Sequence, residues 1–210
     1  MKRMFTFVST VLCSLSLIMT GCESDSDDGG DIGDNNPDLV ACVGDSIMAG
    51  VNCAGAPFPV RLAAKSGKTV LNYAKPGAKS NYGPSVINSV LAKKPGYVCI
   101  MIGSNDASAG HSPEAVKANI AAMIVACQSH HSKPIVATPP QMAYGHAIYN
   151  GNCKAVSEAI RQATSELGAK LVDINSACGS NPEKYLNPAD GLHLSEEGGE
   201  LLANKFNGAL

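Results

Sequence analysis

Five short apolar runs, separated by helix-like stretches, constrain this sequence more than any other feature. They lie at residues 39–43, 69–73, 97–102, 134–138 and 170–174. A run that stays apolar at successive positions suits a strand covered on both faces, as in a parallel sheet between two helical layers. The stretches between them carry helix signals. Ser112 can cap a helix that has Pro113 at its first position. Val116, Ile120, Met123, Ile124 and Cys127 then share one apolar face. Residues 152–167 place Val156, Ala159, Ile160, Ala163 and Leu167 at similar spacing, and Gly168 stops them. Ser195 can cap a last helix bearing Leu201, Leu202 and Phe206. The alternation predicts an α/β protein: a three-layer α/β/α sandwich around a parallel, five-stranded sheet.

The fold is expected to occupy residues 39–210. Residues 1–21 start with Met1-Lys2-Arg3 and continue as a mostly apolar run, which reads as a signal peptide too short for a membrane span. The run ends Thr20-Gly21-Cys22, similar to a bacterial lipobox, with Cys22 as the expected lipidation site. Residues 22–38 hold seven acidic side chains and no basic one. Such a segment cannot bury apolar surface and reads as a disordered tether. The expectation is an exported protein of the cell envelope, held to a membrane by lipid on Cys22.

From Leu39 onward there are 14 Lys and Arg against 11 Asp and Glu, a net charge of +3. The basic residues form no cluster or stripe, which argues against nucleic acid as a partner. Six cysteines fall in the expected domain: Cys42, Cys53, Cys99, Cys127, Cys153 and Cys178. Export permits disulfides, and six cysteines allow 15 pairings. Cys42 and Cys99 sit inside strand-like runs and read as buried thiols. Cys153 and Cys178 both follow loops at the same sheet end, so a disulfide between them is expected. No Cys/His spacing suggests zinc.

In open α/β sheets ligands bind at the carboxyl ends of the strands. After the first run comes Gly44-Asp45-Ser46, a turn that places a hydroxyl above the sheet near a helix start. After the second comes a turn containing Pro76-Gly77. After the third comes Gly103-Ser104-Asn105-Asp106, where an Asn amide can donate into a site. Near the C-terminus comes Asp190-Gly191-Leu192-His193. An Asp three residues before a His can fold back onto Nδ1–H and leave Nε2 as a base. Taken singly, each of these also reads as an ordinary cap or turn.

Together, and in this order, the four blocks resemble those of the SGNH (GDSL-type) hydrolases. The resemblance spans Leu39 to Leu210 and implies a flavodoxin-like fold. It implies Ser46 as nucleophile, His193 as base and Asp190 as the group that orients it. Ser46 N–H, Gly77 N–H and the Asn105 side chain would form the oxyanion hole. It implies ester hydrolysis through an acyl-enzyme with no cofactor and no metal, on a small-molecule ester, by a monomer. Two residues depart from the pattern: Ile47 stands for the Leu of GDSL, and Ala74 stands where a Gly is frequent.

The loop 139–151, with Met142, Tyr144, His146 and Tyr149, is expected to shape the acyl or alcohol pocket. Asp45 and Asp106 are expected to bond local backbone. Among rivals, an α/β-hydrolase requires G-x-S-x-G, which the chain lacks. No glycine-rich phosphate loop supports a nucleotide or flavin site. A carbohydrate O-deacetylase of the same fold is the second reading, against which the absence of Trp argues mildly. A non-catalytic ligand- or glycan-binding lipoprotein is the third.

Overall fold

The computed structural model describes residues 31–210. The expected signal peptide and the Cys22 anchor lie outside the described residues. The five apolar runs form five strands: β1 (Asn36–Gly44), β2 (Thr69–Asn72), β3 (Pro95–Met101), β4 (Lys133–Ala137) and β5 (Lys170–Val172). All neighbours pair in parallel, in the order β2-β1-β3-β4-β5. The expected tether ends earlier than Asp38. Asn36, Pro37 and Asp38 already belong to β1, and Asn36 pairs with Pro95.

The helices are α1 (Ser46–Ala49), α2 (Phe58–Ser66), α3 (Tyr82–Leu91), α4 (Ser104–Ser108), α5 (Pro113–Ser129), α6 (Asn150–Glu166), α7 (Ile174–Cys178) and α8 (Glu196–Asn207). Ser112 and Ser195 cap α5 and α8 as expected, accepting from Ala115 N–H and Gly198 N–H. These bonds satisfy amides that the first helical turn leaves without partners.

The sheet separates two apolar layers. Ala41, Val43, Val98, Ile100 and Val136 face the layer built on Ile87, Ile120, Met123, Val156 and Ile160, from α3, α5 and α6. Val40, Cys42, Cys99, Met101 and Ile135 face the layer built on Ile47, Phe58, Leu62, Leu202 and Phe206, from α1, α2 and α8. Phe58 and Phe206 pack as a tilted ring pair, with centroids 5.3 Å apart. With both faces covered, the stretches Leu39–Val43 of β1 and Val98–Met101 of β3 carry only apolar side chains and cysteines. Strand order reverses direction between β1 and β3, which opens a crevice beyond their carboxyl ends.

The thiols differ from expectation. All six cysteines in the described residues are free. Cys153 packs in the layer under α5 and α6, and Cys178 in the opposite layer. The Cys153 thiol is already engaged, donating to the Pro140 carbonyl at 3.2 Å and accepting from Asn175 Nδ2 at 3.7 Å. The expected Cys153–Cys178 disulfide is therefore not formed. Cys42 and Cys99 are buried thiols at neighbouring positions of β1 and β3, as the sequence indicated.

Candidate active site

Gly44 ends β1 where the chain must pass tightly over β3. A Cβ there would collide with the Met101 carbonyl and the Met48 side chain. Asp45 then caps α1, its Oδ1 accepting from Ile47 N–H at 2.9 Å. This is the local backbone role expected of it. Ser46 is the first helical residue and is buried apart from a small opening. Helix α1 is a single turn, so its dipole is small. What it offers a ligand is the Ser46 N–H, which has no protein partner among the described residues.

The last block folds back as expected. Asp190 Oδ1 accepts from the N–H groups of Leu192 and His193, each at 2.9 Å. Its Oδ2 lies 2.8 Å from His193 Nδ1. Partial desolvation would raise the Asp190 pKa. The His193 ring and the two amides outweigh it and hold the group down to about 2. A carboxylate that stays ionised fixes the tautomer with the proton on Nδ1. His193 Nε2 then faces Ser46 Oγ at 3.0 Å. Residues 147 positions apart in sequence thus meet over one sheet edge. Chemically, this is a hydroxyl whose proton can pass to an imidazole backed by a carboxylate.

The turn after β2 runs beside the Ser46 turn, because Lys75 N–H donates to the Gly44 carbonyl at 3.0 Å. Gly77 is exposed on that turn, and its N–H is unpaired among the described residues. Asn105, in α4, donates from Nδ2 to the Ala78 carbonyl at 3.0 Å. One Asn105 proton ties down the Gly77 turn and the other stays available. The three oxyanion-hole candidates therefore come from adjoining segments.

Asp106 does more than bond its local backbone. It accepts from Ser80 N–H and Ser80 O–H, both at 2.8 Å, and Asn119 Nδ2 donates to Ser80 Oγ at 2.9 Å. Asp106 thus holds the β2–α3 loop to α4. No local pattern signals this bond, since the partners lie 26 positions apart.

The model of the GDSL-like lipase/acylhydrolase family matches residues 42–201. The chain belongs to this family. It is an ester hydrolase of SGNH fold. Among solved structures it is similar to a lipase/acylhydrolase from Enterococcus faecalis, with 28% identity and a TM-score of 0.71 over 81% of this chain and 94% of that one. It is also similar to a G-D-S-L family lipolytic protein from Desulfitobacterium hafniense, with 24% identity and a TM-score of 0.72 over 82% and 99%. An acetylxylan esterase from Geobacillus stearothermophilus shares the fold, at 19% identity and a TM-score of 0.66 over 82% and 93%. No curated protein matches the chain.

Within this acylhydrolase the loop after β4 lies against the His193 block. Ala143 N–H donates to the Gly191 carbonyl at 2.8 Å, and His146 Nδ1 donates to the Asp190 carbonyl at 2.6 Å. Gly191 has φ +67°, and a Cβ on it would collide with the Ala143 carbonyl. Met142 is buried, whereas Tyr144 and Ile148 are exposed on the loop. The contact to Asp190 that His146 makes was not foreseen.

Proposed function

We propose that the protein hydrolyses small or short-chain carboxylic esters through an acyl-enzyme on Ser46. The observation that carries this reading is the unbroken series Asp190–His193–Ser46, at 2.8 and 3.0 Å. His193 Nε2 takes the Ser46 proton as Oγ attacks the carbonyl carbon. The oxyanion forms within reach of Ser46 N–H, Gly77 N–H and the Asn105 amide, donors that would each contribute ~10²–10³ in rate. His193 passes its proton to the departing alcohol. Water, deprotonated by the same imidazole, then releases the acid and restores Ser46. No step needs a cofactor or a metal.

Small substrates are supported by short connections: no inserted domain roofs the site between residues 36 and 207. The protein is proposed to act in the cell envelope, lipid-anchored on Cys22. The basic, apolar and Gly21-Cys22 sequence of the first residues supports this.

An ester panel of graded acyl length, including acetylated xylan, tests the reading. Ser46→Ala and His193→Ala are each expected to lose ~10³-fold or more in kcat. Near-normal turnover by Ser46→Ala would overturn it. The Ser46-dependent activity should sediment with membranes and become soluble in Cys22→Ser. Soluble activity from the unaltered chain would remove the anchor.

A further inference from the structure

We infer that this site prefers esters that carry a carboxylate near the scissile bond, bound by Lys75 and Lys79 beside Gly77. The inference rests on the proposed function and narrows its substrate class. A depression of about 410 Å³ lies along the β2–α3 loop, lined by Lys75, Gly77, Lys79, Asn81, Tyr82 and Ser85 among others. Two lysines are among the residues that line it, and no acidic residue is. The backbone bond from Lys75 to Gly44 sets this loop alongside the Ser46 turn, and the Asn105 bond to Ala78 ties its other side to α4. The depression therefore adjoins Gly77, the expected oxyanion donor, at the reacting end of the sheet.

Both cations are held without being neutralised. Lys79 Nζ donates to His111 Nε2 at 3.2 Å, and His111 Nδ1 lies 3.5 Å from Asp106 Oδ1. The Asp106 carboxylate is buried and committed to Ser80, so it orients His111 without contacting Lys79. Lys75 Nζ stands 5.7 Å from the centroid of the Tyr82 ring, a cation–π contact that leaves its charge in place. Neither lysine forms an ion pair among the described residues. Elsewhere Lys65, Lys68 and Lys117 each have a carboxylate partner. Two ammonium groups without carboxylate partners, beside the Asn81 amide, form a receptor for a carboxylate, whereas the Ser85 hydroxyl is already committed to the Tyr82 carbonyl at 2.6 Å.

Matched pairs of esters test this. The acyl-side pair is the p-nitrophenyl hemiester of adipic acid against p-nitrophenyl methyl adipate. The alcohol-side pair is 4-acetoxybenzoate against its methyl ester. In at least one pair the acid should exceed its methyl ester in kcat/KM by about five- to tenfold at low ionic strength, and the ratio should approach one in 1 M salt. The pair that responds identifies the side on which the charge binds. Lys75→Met/Lys79→Met should abolish the ratio, while Lys93→Met/Lys205→Met, which removes an equal charge from the α3–β3 connection and α8, should keep it. Equal rates within both pairs, or a ratio that survives in the double variant, would overturn the inference. Loss of all turnover in Ser46→Ala, measured in parallel, shows that the parent reading stands whichever way the ratios fall.

Discussion

Asp45 is the residue whose surroundings conflict most with its chemistry. It is fully enclosed, Oδ1 has the Ile47 amide, and Oδ2 has no partner among the described residues. Burial pushes its pKa up to about 6, and the Ile47 amide and the nearby His193 only partly counter this. A carboxyl group whose folded-state value exceeds its unfolded value favours the fold in its protonated form. That stabilisation is complete below about pH 4 and is lost as pH rises through about 6. At neutral pH the enclosed charge costs about 3 kcal/mol. Asp45→Asn keeps the Oδ1 cap and removes the charge, exchanging one unpaired atom for another. It should stabilise the protein by about 1–3 kcal/mol at pH 7.5 and by almost nothing at pH 4. Denaturant unfolding at the two pH values measures this. A variant with the same stability difference at both would show that the enclosed charge is not what Asp45 contributes.

Among elements, the loop between β4 and α6 joins structure most directly to chemistry. His146 donates to the Asp190 carbonyl, so it acts on the base through the turn that carries Asp190. It is a positioning residue. His146→Ala should lower kcat about ten- to hundredfold with KM nearly constant, because displacement of an orienting group by a fraction of an ångström weakens transition-state alignment. His146→Asn can place an amide N–H near Nδ1 and should recover most of the loss. Steady-state kinetics of the two variants decides the matter: equal loss in both, or a change confined to KM, would refute the positioning role. The sequence placed this loop near the site but could not show the bond, which joins residues 44 positions apart. Helices with long apolar faces and Ser caps, α5, α6 and α8, were legible. Helices α2 and α3 were not, since Pro57, Pro59, Gly83 and Pro84 read as loop punctuation and Arg61 takes a buried place in α2. Likewise Arg161 reaches from α6 to Asp173 just after β5, at 2.9 and 3.0 Å, and holds that carboxyl far below the usual range despite partial burial. Nothing local in either residue announces that pairing.

At the scale of the molecule, the parallel sheet and its reactive edge were readable because each apolar run ends in a chemically distinct turn. The division of the core into two layers was hidden by the same apolar runs. When Val40, Ala41, Cys42 and Val43 are all buried, period-two alternation leaves no trace in hydropathy, and the layer a side chain enters cannot be read. Cys153 and Cys178 both follow loops at the same sheet end, which suggests a pair, yet they pack in opposite layers. The layers predict thiol behaviour instead. Burial pushes Cys127 up to about 12 and both Cys153 and Cys178 up to about 11, while Cys42 and Cys99 lie inside the sheet. Cys53 is the most accessible of the six, half-buried near the start of α8, where its thiol meets the Ser195 carbonyl at 3.6 Å. Only thiolates alkylate rapidly, and closed packing excludes the reagent. Peptide-resolved alkylation of the folded protein should therefore modify Cys53 first, and the other five only after denaturant opens the core. A Cys153–Cys178 cross-linked peptide, or comparable labelling of Cys53 and Cys127 in the native state, would mean that the two layers are not closed as described.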